Sequence, residues 1–143
     1  MKCLFRGMGC LGIIVLLGIS IFVIAPILPQ GEISKDAYVA SVSPLLIDLE
    51  NQAMSASTLI IYPTFDDAWA SDVDDVYATM RTIQTRLKRV KPSLDWGATH
   101  NDLLDVSSNC VTSIEMLKIG SQAESLMDLC LTGIKRVKAK ISD

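Results

Sequence analysis

Asp66-Asp-Ala-Trp69-Ala-Ser-Asp-Val73-Asp-Asp-Val76-Tyr-Ala-Thr-Met80-Arg-Thr-Ile83-Gln-Thr-Arg-Leu87-Lys-Arg-Val90-Lys91 is the stretch that decides the fold. Its apolar residues Trp69, Val73, Val76, Met80, Ile83, Leu87 and Val90 step by fours and threes without a miss. That spacing puts them on one face of a 3.6-residue helix and leaves the rest polar. The charges agree with a helix running in this direction. Asp66, Asp67, Asp72, Asp74 and Asp75 crowd the first half and Arg86, Lys88, Arg89 and Lys91 the second, each sign matching the macrodipole at its end. A helix with one apolar stripe needs partners, and the rest of the chain supplies three.

Before it, Ser34 is a good N-cap with Asp36 in the first turn, followed by Val39, Val42, Leu46, Leu49, Ala53, Ala56 and Ile60 at helical spacing. Pro44 either bends this helix or marks a fresh start capped by Ser43. Tyr62-Pro63-Thr64 ends it, and Thr64 with Asp67 resembles a capping box for the next helix. After it, Lys91-Pro92-Ser93 breaks the chain, and Ser93 or Asp95 caps a third helix with the seam Trp96, His100, Leu103, Ser107, Cys110, Ile114 and Leu117. Gly120 stops that helix. Ser121-Gln-Ala-Glu124 reads as a capping box opening a fourth, with the seam Ala123, Met127, Cys130, Ile134, Val137 and Ile141. The predicted helices cover about 35–61, 65–91, 94–119 and 122–141. Four such helices with short connections predict an all-α, up-down-up-down four-helix bundle over residues 34–143.

The chain ahead of the bundle is of another kind. No charge falls between Arg6 and Glu32, and Cys10–Leu28 is about the length of helix that crosses a bilayer. This predicts a short tail (1–9), a single N-terminal transmembrane helix (10–28) and a linker (29–33). A cleaved secretory signal is the rival reading. Ala25 and Val23 suit cleavage, but Pro26 would follow the cut and block it, which favours an uncleaved signal-anchor. Lys2 and Arg6 hold the N-terminus in the cytoplasm, so the expectation is a single-pass protein of the cell membrane with an extracytoplasmic bundle. Cys3 and Cys10 lie at the cytoplasmic boundary, as acylation sites or as small membrane-edge residues.

Composition narrows the function. Half the residues are apolar but only 6% aromatic, which suits helices rather than a sandwich. Of the 13 basic residues only Lys2 and Arg6 precede the anchor, so 11 basic and 16 acidic residues follow it, a net −5. A weakly acidic domain of this kind is a poor candidate for a nucleic-acid binder, which needs a net basic face, and that class is set aside.

Cys110 and Cys130 stand ten residues either side of Gly120, so an antiparallel hairpin brings them to one height on the inward seam. In an oxidising compartment they form a disulfide candidate; the alternative is two small core residues that never bond. His100, the only histidine, lacks the spacing partners of zinc, di-iron or haem sites and has no nucleophile beside it, so a structural, hydrogen-bonded role is expected. No metal, cofactor or catalytic residue is assigned, and an enzyme is not expected.

The up-down order places Arg86, Lys88, Arg89, Lys91, Lys135, Arg136, Lys138 and Lys140 at the membrane-proximal end. Asp66, Asp67, Asp72, Asp74 and Asp75 fall at the distal end. Either the basic end meets lipid headgroups or each helix simply satisfies its own dipole.

Tyr38 with Val42 and Pro44, Trp69 opening the second helix, the break Lys91-Pro92, His100-x-x-Leu103-Leu104 and a closing hairpin through Gly120 and Gly133 together resemble a loosely related set of uncharacterised bacterial membrane-anchored or lipid-anchored helical-bundle proteins. The chain departs from the lipid-anchored ones in lacking a lipobox cysteine. The resemblance implies the bundle fold and no known activity.

The expected function is a non-enzymatic interaction or accessory module, its partners the bilayer and a membrane or surface protein. The acidic distal end and the off-seam residues Leu104, Val111, Met116 and Ile119 are its candidate contacts; the alternative for some of these four is packing inside, since globular helices bury a wider stripe than a coiled coil. The alternatives are a small-ligand or cofactor binder around His100, Ser107 and Met80, or a sensor ectodomain that signals through a partner.

Overall fold

The computed structural model describes residues 34–142; the predicted tail, transmembrane segment and linker lie outside the described residues. Those described are helical and contain no strand: α1 (Lys35–Ile61), α2 (Asp67–Arg89), a 3₁₀ turn (Leu94–Trp96), α3 (Gly97–Lys118) and α4 (Glu124–Ser142). No helix among them is long and apolar enough to cross a membrane.

Together they form a four-helix bundle in which each helix runs antiparallel to the next. Lys118 of α3 meets Asp74 of α2, and Glu115, one turn back, meets Tyr77, one turn on. On α4, Cys130 meets Cys110 of α3 while Lys140 meets Asp102, again stepping in opposite directions. Lys138 ties α4 to Glu50 of α1, closing the ring. The proximal end is the one where Ser34 enters; the distal end carries the α1–α2 loop and the α3–α4 turn.

The core is the set of stripes predicted by periodicity, made wider. Val73, Val76, Met80, Ile83 and Leu87 of α2 and Met127, Cys130, Ile134, Val137 and Ile141 of α4 are buried, with Trp69 and Val90 partly so. Globular helices bury more than a two-per-heptad seam, and here the addition is Tyr38 and Leu45 on α1 and Val106 and Val111 on α3. Val111, expected as an outer contact, is therefore core. Leu104 and Met116 pack partly against the core, and of that group Ile119 alone is open to solvent.

Helix starts depart from expectation in three places. The N-cap of α2 is Asp66, whose Oδ1 accepts from the Trp69 amide at 2.7 Å, rather than Thr64. Both residues can cap, but Phe65 takes a left-handed φ of 56°, which carries the chain past Thr64 before the helix begins. Ser93 leads a 3₁₀ turn, without a side-chain cap bond, and α3 starts only at Gly97. α4 begins at Glu124 with Ala123 supplying the first carbonyl, so Ser121 does not occupy the cap position. Gly120 sits at φ 69°, the left-handed turn for which glycine costs least, and the Ser121 amide bonds back to the Met116 carbonyl.

Pro44 does not restart α1. The helix runs through it, and the Ser43 hydroxyl donates to the Val39 carbonyl at 2.8 Å instead of capping.

Along α3 and α4 the backbones come unusually close. A Cβ added at Gly133 would lie 2.4 Å from Cγ2 of Val106, so only glycine admits that valine. One turn away the Sγ atoms of Cys110 and Cys130 are 2.06 Å apart, with Cα atoms at 4.9 Å. The pair is held at disulfide distance across the bundle's second hairpin.

Candidate functional site

The polar groups of the interior are closed on one another. Tyr38, fully buried on α1, places its hydroxyl 3.2 Å from Nδ1 of His100 on α3, and Trp96 lies against the tyrosine ring at 5.4 Å between centroids. Burial pushes the Tyr38 pKa up to about 12 and holds that of His100 below the ordinary imidazole value. Both shifts keep the pair uncharged. In that state the phenol O–H donates to Nδ1 of the tautomer protonated on Nε2. Lys35 caps the cluster from outside, its Nζ 5.5 Å from the Trp96 ring centroid.

Ser107 and Ser113 donate to the carbonyls of Leu104 and Cys110, and Met80 is wholly enclosed in the core. Among the described residues no buried side-chain polar atom lacks a partner, and no group of three or more His, Cys, Asp or Glu could hold a metal ion. His100, Ser107 and Met80 thus belong to the packed interior.

The charged residues sit where the topology put them, but several are engaged. Lys138 donates to Glu50 at 2.6 Å and Lys140 to Asp102 at 2.5 Å, so half of the basic group on α4 joins helices together. The Lys140 bond is what holds the Asp102 carboxyl below its usual pKa. Arg86, Lys88, Arg89 and Lys91 are exposed at the proximal end of α2, and Lys135 and Arg136 are exposed on α4. On the acidic side, Asp66 caps α2 and Asp74 pairs with Lys118 at 2.7 Å, raising the lysine pKa. Asp67, Asp72 and Asp75 are exposed.

The feature that sequence reasoning passed over is the α1–α2 loop. Ile61, Tyr62 and Phe65 are 60%, 72% and 71% exposed, an apolar concentration unusual for a solvent-facing loop. The loop is firmly rooted. The Tyr62 amide bonds the Thr58 carbonyl at 3.0 Å, and the Trp69 indole N–H reaches across to the Leu59 carbonyl at 3.1 Å. Those carbonyls are among the last four of α1, which have no partner within the helix. Phe65 stacks on Trp69 with centroids 5.0 Å apart, and the left-handed φ of 56° at Phe65 puts it there.

No protein-family model, curated protein or solved structure matches the chain.

Beneath the loop an open groove of about 400 Å³ runs between α1 and α2, lined by Ser55, Thr58 and Leu59 on one side and Asp72, Asp75 and Val76 on the other. Loop and groove share an edge, because Leu59 lines the groove and bonds the tryptophan that supports Phe65. Here exposed apolar side chains and the carboxylates of Asp72 and Asp75 meet solvent together. The cue in the sequence was three aromatics within eight residues, Tyr62 to Trp69, in a chain only 6% aromatic.

Proposed function

We propose that this chain is a membrane-anchored, extracytoplasmic helical bundle that acts as a non-enzymatic interaction or accessory module, engaging its partner through the α1–α2 loop. The observation that carries the reading is the exposed Ile61–Tyr62–Phe65 surface, held in one shape by the Trp69 indole and the Asp66 cap. A left-handed phenylalanine costs on the order of 1 kcal/mol, and a side chain held in solvent returns little of that in burial. Such a cost is typical of residues kept for contact with something else. The uncleaved anchor at 10–28 belongs to the same reading and supplies the compartment in which Cys110 and Cys130 stay oxidised.

A photo-crosslinking residue placed at Phe65 and, separately, at Ser108 on the exposed side of α3 tests this in intact membranes. A discrete adduct is expected from position 65 and not from 108. Equal adducts from both positions, or none from either, would overturn the reading.

A further inference from the structure

We infer that the α1–α2 loop and its groove form a docking site for a cationic amphipathic segment of a partner protein. This rests on the interaction reading above and specifies the partner's chemistry. From Asp36 to Met80 the chain contains eight carboxylates and no Lys or Arg. Two of the eight have cations reaching them from other helices, Glu50 from Lys138 and Asp74 from Lys118. Asp72 and Asp75 have no such partner among the described residues, and both open onto the groove whose floor is Leu59 and Val76.

A Lys or Arg side chain fits that arrangement in both its parts. The aliphatic stem lies along Leu59 and Val76, and the charged head lies between the two carboxylates. Apolar side chains of the same segment then meet Tyr62 and Phe65, whose ring faces also attract cations. The local field disfavours the other occupants. An anionic bilayer would bring headgroups against Asp66, Asp67, Asp72 and Asp75, and a second copy of this loop would bring the same carboxylates against themselves.

The test uses the full chain in nanodiscs of zwitterionic phosphatidylcholine and two labelled peptides. One is a Leu/Lys amphipathic 18-mer, the other its Leu/Glu counterpart. The Leu/Lys peptide is expected to bind, with affinity falling between about 50 and about 300 mM salt, and the Leu/Glu peptide is not. Combining Asp72→Asn with Asp75→Asn is expected to weaken binding about fivefold. The same neutralisation at Asp48 and Asp105, exposed elsewhere, is expected to leave it unchanged.

Equal binding of the two peptides overturns the cationic assignment, as does indifference to Asp72 and Asp75. The salt dependence of the unaltered chain stands as an independent readout should the double variant unfold. With Trp96→Phe leaving Trp69 as the reporter, a blue shift of its fluorescence on phosphatidylcholine vesicles alone makes the bilayer the occupant and also overturns it. If position 65 crosslinks a protein while peptide binding ignores charge, only the partner chemistry fails. If position 65 crosslinks nothing, the interaction reading itself fails.

Discussion

The two ends of the bundle use aromatic residues in opposite ways. At the proximal end Tyr38 is fully buried, hydrogen-bonded to His100 and covered by Trp96; at the distal end Tyr62 and Phe65 stand in solvent on a Trp69 that is itself hydrogen-bonded to α1. The first cluster joins α1 to α3 across the bundle, between residues 62 positions apart. The second joins only neighbours in the chain. A buried aromatic contributes packing and a satisfied polar group, whereas a solvent-facing one contributes little of either, so the proximal cluster serves stability while the distal one leaves Tyr62 and Phe65 open to solvent.

The sharpest way to break this contrast is truncation. Tyr38→Ala is expected to cost about 3–5 kcal/mol, the range for removing a buried aromatic, and Tyr62→Ala less than about 0.5 kcal/mol. Chemical denaturation of the two variants measures both, and comparable losses would erase the distinction. Next in size is the link midway between the ends. Reducing Cys110–Cys130, whose sequence separation is 20, is expected to cost about 3 kcal/mol. Trp69 and Trp96 report one end each, so coincident transitions in single-tryptophan variants show a unit that unfolds as a whole, and separated ones show two. Gly133→Ala, which drives a methyl into Val106, is expected to cost about 2 kcal/mol by thermal melting.

A smaller effect distinguishes the ends by pH. Burial lowers the folded-state pKa of His100, so between that value and about 6.5 the unfolded chain holds the extra proton. Stability is therefore full above about 6.5 and falls as the pH drops through that window. His100→Gln should remove that step from the pH profile of the melting temperature; an unchanged profile would locate the titration elsewhere. Smallest of all, Phe65→Gly relieves the left-handed φ while losing the stack on Trp69, and stability should hold within about 0.5 kcal/mol. A large loss would make Phe65 a structural residue and undo the contrast from the distal side.

The legible parts of this molecule are those set by local repetition. The stripes of α2 and α4 follow from three- and four-residue steps alone, and the Cys110–Cys130 proximity follows from two equal distances to Gly120. Long-range pairing left no such trace: nothing in Val39-Ala-Ser-Val42 indicates that Tyr38 turns inward to meet His100. Helix starts are ambiguous in the sequence where two capping residues lie close together, as at Thr64 and Asp66, and a backbone torsion at Phe65 decides between them. In the sequence the distal loop reads as a break because Pro63 dominates its pattern. Its aromatic residues became informative only once their exposure and anchorage were known.

The anchorage has a further consequence. Groups outside the apex tie down both helix ends that flank the loop: the Tyr62 amide and the Trp69 indole take the Thr58 and Leu59 carbonyls of α1, and the Asp66 side chain takes the Trp69 amide of α2. Pro63, Thr64 and Phe65 contribute none of these closing bonds. Pro63 and Thr64 thus form a replaceable tip on a fixed mount, while the left-handed turn at Phe65 belongs to the mount because it brings Asp66 to the cap.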